Sequence, residues 1–361
     1  LLDLIGSPSR DCREDGMAVD ASVRASYLFN TTIAGIEEAD ACLLIGCDPR
    51  REAALVNVRL RKRWMRGGLK IASVGARLDL TFPVSHLGAG PDSLQHIING
   101  KDDFASVLKN AERPMIIVGA GALARTDGAA VLAAARSLAE SCGAVAEGWN
   151  GFNVLHTAAS RVGGLDLGFV PGEGGLDTAG ICGAAASGTI DTVFLLGADG
   201  LDRGNFGDAC VIYIGHHGDA GAQAADIILP GAAYTEKEAT YVNMEGRPQR
   251  ASRAVFPPGE AREDWRILRA LSGMMGSPLP FVSLDELREA MLEKVPHLGE
   301  IDEIAPASWA SFGADGAMAS DAFESAVANF YQTCPISRCS VTMAQCTDAF
   351  VTPLAATGTG D

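Results

Sequence analysis

The sequence predicts an α/β protein made of two doubly wound parallel-sheet lobes with a helical C-terminal tail. Short apolar runs rich in β-branched residues recur along the 361 residues and alternate with longer segments of helical period, the order expected of parallel strands joined by crossover helices. The runs are continuously apolar rather than alternating, as in strands covered by helices on both faces. A hydrophobic content of 47% over this length supplies enough core for two lobes.

Strands are expected at ACLLIG (41–46), KIASV (70–74), PMIIVG (114–119), GAVAE (143–147), TVFLLGA (192–198), CVIYIG (210–215) and DIILP (226–230). Helical patterns fill 52–66, 126–142, 151–162, 261–275 and 283–294. The stretch 168–188 holds seven glycines and Pro171 and reads as a connection. The first lobe is therefore placed at 1–167 and the second at 189–298. Beyond 299 the composition turns to Ala, Ser and acidic residues, which reads as a mobile linker. Within the tail, residues 336–349 read as one amphipathic helix before the floppy end PLAATGTGD.

The net charge of −16 argues against nucleic acid as a partner, because a phosphate-binding face needs a basic surface. No apolar run approaches the roughly 20 residues that span a bilayer, so direct membrane insertion is not expected. The chain starts at Leu1, and its first residues lack both a secretory signal and an Arg-rich transit pattern. That start suggests a removed leader or a piece of something longer. Nine cysteines, at 12, 42, 47, 142, 182, 210, 334, 339 and 346, are scattered and odd in number. They suit free thiols in a reducing compartment.

Four features carry chemistry on one reading and nothing on a plainer one. Gly119, Gly121 and Ala124 follow a strand and precede a helix, close to the dinucleotide fingerprint. That fingerprint also needs an acid ending the next strand; Glu140 falls in a helix and Glu147 comes late, so an ordinary strand-to-helix turn is the alternative to NAD binding. Cys42 with Cys47, and Cys334 with Cys339, have four-residue spacers but no C-x2-C continuation, which argues against an iron-sulfur cluster held by this chain. His216 and His217 end a strand at the carboxyl edge, yet neighbours on an extended segment point opposite ways and do not make a two-ligand site. The run 48–66 carries seven Arg or Lys with Asp48 and Glu52 placed early, either a solvated helix face or a docking surface for an acidic partner.

One further segment is YVNMEGRPQR, 241–250, where an apolar strand runs into Asn243, Glu245, Gly246, Arg247, Gln249 and Arg250. A Gly-centred turn between Glu and Arg can satisfy its own backbone and charges and need not bind anything.

Long blocks in order carry a resemblance: NTTIAGIEEADACLLIGCDPRREAALVNVRLRKRW, LDLTFPVSHLG, FLLGADG, YIGHHGDAGAQAADIILPGAAYTEKEATYVNMEGRPQRA, PPGEAREDWRILRALS and PISRCSVTMAQC. From about residue 24 to about 348 the chain is similar to the carboxy-terminal part of the large iron-sulfur subunit of respiratory complex I, with 168–188 as the weakest stretch. The resemblance implies a molybdopterin oxidoreductase fold whose molybdenum site has been lost, with 241–250 as an inherited cofactor-side loop kept as a joint. It implies no catalytic, cofactor-binding or metal-binding residue on this chain, because the family's 2Fe-2S and 4Fe-4S clusters sit on an amino-terminal ferredoxin-like region that this sequence lacks.

The function implied is a non-catalytic, structural portion of the complex I peripheral arm, supporting electron transfer from NADH to ubiquinone. Its partners would be the flavin-bearing and cluster-bearing subunits. Its place would be the matrix side of the mitochondrial inner membrane or the cytoplasmic face of a bacterial one. The basic segment 59–66 and the tail helix are the expected interfaces. Two enzyme readings stand against this: an active molybdopterin-dependent oxidoreductase resembling formate dehydrogenase, and an NAD-dependent dehydrogenase using Gly119 and Gly121.

Overall fold

The computed structural model describes residues 1–218 and 220–352; the end read as floppy, 353–361, lies outside them. The first sheet has five parallel strands. These are β1 (Ala41–Ile45), β2 (Lys70–Val74), β3 (Ser85–Gly88), β4 (Pro114–Val118) and β7 (Phe152–Val154), in the order β3-β2-β1-β4-β7. All five residues of β1 and of β4 are buried, which is why these runs are uniformly apolar. One sheet face, with Leu43, Ile45, Ile116 and Val118, packs in the core that also holds residues of helices α2 (Pro91–Ile98), α3 (Asp103–Lys109) and α4 (Gly128–Ser141). The other, with Cys42, Leu44, Ile71, Met115 and Ile117, meets Val56 and Leu60 of α1 (Ala54–Met65).

Two sequence expectations fail in this lobe. GAVAE does not enter the sheet: only β5 (Val145–Ala146) is extended, and it pairs antiparallel with β6 (Trp149–Asn150). The fifth sheet strand is β7, inside the segment read as a helix over 151–162, and helix α5 comes later at Arg161–Asp166. Gly151 decides the difference, since a Cβ there would stand 2.1 Å from the Pro114 carbonyl oxygen. Only glycine lets the chain close onto β4 at that point.

The second sheet holds β8 (Thr192–Leu196), β9 (Cys210–Gly215) and β10 (Ile227–Pro230), parallel and in the order β10-β9-β8. Helix α6 (Thr178–Ala186) occupies part of the glycine-rich connection, capped by Asp177, whose carboxylate accepts the Gly180 amide. Residues of α6, of the turn Arg203–Phe206 and of α7 (Ala220–Ala224) share one core with Val193, Leu195, Val211 and Tyr213. Helices on both faces were expected, but along β8 exposed and buried residues alternate. The strands are added in one direction only, and right-handed crossovers without a reversal all fall on the same side.

An antiparallel hairpin follows, β11 (Ala239–Val242) and β12 (Pro248–Ala251), then α8 (Asp264–Met274) and α9 (Leu284–Lys294). The segment read as a mobile linker beyond 299 is instead laid back over the first lobe as a strap. Phe312 and Phe323 are buried, and Trp309, Phe312 and Phe152 form an aromatic trio with centroids 4.9–5.5 Å apart. Gly313 sits at φ 79°, and the Ala314 amide donates to the Ala129 carbonyl at 3.0 Å. The polar composition conceals three aromatic anchors, and these hold the strap down. The tail expected as one helix over 336–349 is a turn, Pro335–Arg338, followed by α10 (Val341–Phe350), the break being the cap Ser340.

Candidate functional site

In an open α/β sheet, ligands settle outside the carboxyl ends of the strands where the winding reverses. In the first sheet that point lies between β1 and β4, flanked by Gly46-Cys47-Asp48 and Gly119-Ala120-Gly121. Gly46 adopts φ 55°, and a Cβ on it would stand 2.5 Å from the Ala122 amide nitrogen. On Gly119 a Cβ would reach to 2.4 Å from Cβ of Cys47, and on Gly121 it would lie 1.9 Å from the Glu324 carbonyl oxygen and 2.7 Å from that of Gly46. The glycines thus permit close approach of the protein's own backbone, including the strap, in the place a pyrophosphate would need. Ala124 ends the short turn Ala120–Leu123, and α4 begins only at Gly128.

Neither acid proposed for a ribose is placed for one. Glu140 lies on α4 and accepts the Trp309 indole N–H at 3.0 Å, so it anchors the strap. Glu147 is exposed in the turn between β5 and β6.

Cys42 and Cys47 are buried, and burial pushes both thiols up, away from the thiolate that a cluster needs. Cys47 Sγ faces the Ile117 carbonyl at 3.8 Å. Cys334 and Cys339 are exposed at the two ends of the turn Pro335–Arg338. Among the described residues no three His, Cys, Asp or Glu side chains group as metal ligands do.

His216 and His217 depart from the expectation that they diverge: their Nδ1 atoms stand 2.6 Å apart and their rings meet edge to face. The strand ends at Gly215, so the alternation of an extended segment no longer governs them. Burial, followed by the His217 charge, lowers the pKa of His216.

The segment 241–250 forms the β11–β12 hairpin around Gly246 at φ 83°. Asn243 Oδ1 accepts the amides of Glu245 and Arg247, each at 3.0 Å. Glu245 is buried; its Oε1 accepts the Ile33 amide at 2.6 Å and its Oε2 the Asn243 amide group at 3.0 Å. Arg247 donates to the Asp302 carbonyl, and Gln249 approaches the Asp302 carboxylate at 3.5 Å. Arg250 pairs across the hairpin with Thr240. The polar groups of this loop are directed at the protein's own chain, joining the residues before β1 to the start of the strap.

Behind the loop lies a group the sequence did not disclose. Asp166, with no side-chain exposure, receives Arg24 Nε at 2.9 Å, Tyr27 Oη at 2.7 Å and His297 Nε2 at 3.0 Å. Arg24 also donates to the carbonyls of Gly246 and Ala305, each at 3.0 Å. These residues come from distant parts of the chain and have no shared spacing, so no local pattern announces them.

Residues 1–274 match the family model of molybdopterin oxidoreductases. The chain belongs to the molybdopterin oxidoreductase family. Residues 303–346, which include the strap, match a second family model, that of the C-terminal region of an NADH-ubiquinone oxidoreductase subunit. Over 350 residues the chain is 42% identical to the mitochondrial NADH dehydrogenase [ubiquinone] iron-sulfur protein 1 of Solanum tuberosum, covering 96% of this chain and 46% of that protein. With the 78 kDa subunit of NADH-ubiquinone oxidoreductase from Neurospora crassa the identity is 43%, over 92% of this chain and 45% of the relative. With an NADH-quinone oxidoreductase subunit of Rickettsia bellii it is 38%, over 96% and 50%. The chain therefore spans about half the length of the curated relatives it matches.

Among solved structures, acetylene hydratase from Pelobacter acetylenicus superposes with a TM-score of 0.53 at 14% identity, over 76% of this chain and 52% of that one, a likeness of fold. The molybdopterin oxidoreductase fold implies a pterin-bound metal, and the residues at the switch point do not fit one. The Gly46, Gly119 and Gly121 crevice is closed by backbone, and the 241–250 loop bonds to its own chain.

Proposed function

We propose that this chain is a structural, non-catalytic portion of the peripheral arm of respiratory complex I, placed beside the modules that carry electrons from NADH to ubiquinone. The observation that carries the reading is the approach of the Glu324 carbonyl to Gly121, which fills the family's ligand crevice with the protein's own strap. A closed crevice leaves rigidity and shape as the chain's contribution. Burying neighbouring clusters away from water would tune their potentials.

In this reading no cofactor sits on the chain itself, and the clusters and flavin belong to its partners. Its relatives include mitochondrial and bacterial subunits, which supports the matrix side of the mitochondrial inner membrane or the cytoplasmic face of a bacterial one. No helix among the described residues is long and apolar enough to cross a membrane.

The interface we favour is α1, whose Leu55, Val58 and Met65 are exposed among Arg59, Lys62 and Arg66. The tail helix α10, with Val341 and Phe350 exposed, is the second. Native purification through a tag on this chain, with subunit mass spectrometry and metal analysis, tests the reading. Equal stoichiometry with flavin-bearing and cluster-bearing subunits is the expected result. Recovery as a free protein with stoichiometric molybdenum or bound NAD would overturn it.

A further inference from the structure

Charge is spread unevenly along this acidic chain. From Ala53 to Leu78 the sequence has Arg59, Arg61, Lys62, Arg63, Arg66, Lys70 and Arg77 and no acidic residue, against a net charge of −16 for the whole. On α1 and the residue that ends it, Leu55, Arg59, Lys62 and Arg66 recur at helical spacing and form one row; Val58, Arg61 and Met65 form the next. Val56 and Leu60 pack on the sheet from the opposite side of the helix, so both rows face solvent. Leu55 is 74% exposed, Val58 59% and Met65 63%; Arg61, Lys62 and Arg66 are exposed and Arg59 is half-buried. Single apolar residues on a surface are ordinary, but three on one helix face among arginines have the composition of an interface.

The chain itself shows what these cations take. Arg59, Lys62 and Arg66 converge on the Glu37 carboxylate, Lys62 at 2.8 Å and Arg66 at 2.6 Å. Hydrogen bonds from Lys62 and Arg59, with the charge of Arg66 beside them, hold that carboxyl down to about 2. One carboxylate leaves two of the three positive charges uncompensated, and Arg61 forms no ion pair among the described residues. Further carboxylates are the complement of this face. An anionic bilayer suits it less, because Trp64 packs inward and leaves no aromatic anchor outside, and insertion would press Glu37 against the negative headgroups.

We propose that the solvent face of α1 is the docking site for an acidic segment of another polypeptide, carrying Asp or Glu beside apolar side chains. The apolar groups cover Leu55, Val58 and Met65. The carboxylates pair with Arg61, Lys62 and Arg66, whose guanidinium forks fix the register, and the same cations reject a basic competitor. This rests on the reading of α1 as an interface given above and adds the chemistry of what it receives.

The test places a photoreactive residue at position 58 of the full chain in cells that make it, and sequences the cross-linked peptide. A segment of another protein in which Asp and Glu outnumber Lys and Arg is the expected adduct. Arg61→Glu breaks no ion pair among the described residues and should lower the yield by about tenfold, the scale of turning an interface charge pair from attraction to repulsion. An unchanged circular dichroism spectrum would show that the fold is retained. Changing the acid nearest the cross-link to Lys should lower the yield with the parent chain and restore it with Arg61→Glu. An adduct with lipid, with nucleic acid, with a second copy of this chain or with a segment lacking excess acid would overturn the proposal, as would no adduct or a failure of this charge exchange. If the chain purifies with flavin-bearing and cluster-bearing subunits but position 58 gives no adduct, this inference alone fails. If the chain purifies free yet cross-links to an acidic segment, the assembly reading alone fails.

Discussion

Arg24 grips Asp166 with a two-pronged fork, Nε to Oδ1 at 2.9 Å and Nη2 to Oδ2 at 3.2 Å, across 142 residues of sequence. Asp166 is fully buried on its side chain, and Arg24 retains 14% exposure. Asp166→Asn keeps the shape and removes the charge, leaving a buried guanidinium without its counter-ion. Such breaks cost about 3–5 kcal/mol, so the urea midpoint should fall steeply, while the double change Arg24→Met with Asp166→Leu should cost less. An unchanged midpoint in Asp166→Asn would show that the fork contributes nothing.

Gly121→Ala introduces a methyl 1.9 Å from the Glu324 carbonyl oxygen. One side must move, and overpacking of this kind costs about 1–3 kcal/mol. Hydrogen exchange should rise at residues 321–324, and limited proteolysis should find the strap more readily than in the parent. Equal protection in the two proteins would contradict this close approach.

Phe312→Ala removes the centre of the aromatic trio with Trp309 and Phe152. Loss of a buried phenyl ring costs about 3–5 kcal/mol. The loss should be felt first as release of the strap, read by tryptophan emission from Trp309 shifting to the red.

Glu52 supplies a pH dependence of known sign. Burial, partly offset by the Asp48 amide that it accepts, raises its pKa from 4.5 to about 7. Between those values the folded state binds more protons than the unfolded one, so stability falls as pH rises from about 4.5 to 7. The stabilisation is complete below the unfolded value and gone above the folded one, with an upper limit of about 3 kcal/mol. Glu52→Gln should flatten the difference between pH 5 and 8 in urea unfolding; a parallel pair of curves would refute the role of this carboxyl.

The strands β1, β2, β4, β8, β9 and β10 were legible because each is a compact apolar run bounded by Gly, Asp or Pro. Ser85–Gly88 is a polar edge strand with no such signature, and Phe152–Val154 depends on a long-range approach at Gly151. The resemblance to the large complex I subunit came from extended blocks of sequence, and the comparisons uphold it. The closed crevice was not legible. The spacing of Gly119 and Gly121 is the same whether phosphate or the Glu324 backbone approaches them, and the residue that decides lies two hundred positions away. The Asp166 group was hidden for the same reason, since Arg24, Asp166 and His297 come together only in the folded chain.

The strap also sets an order of events during synthesis. Gly121 emerges from the ribosome about two hundred residues before Glu324, which at roughly 5–20 residues per second is about 10–40 s. Once Phe152–Val154 has followed, the nascent first lobe has its five strands but not its cover, and Phe152 and the crevice stay exposed for the rest of that interval. A chaperone, or a neighbouring protein already in place, would meet the lobe in that open form, and the later-translated strap would close it.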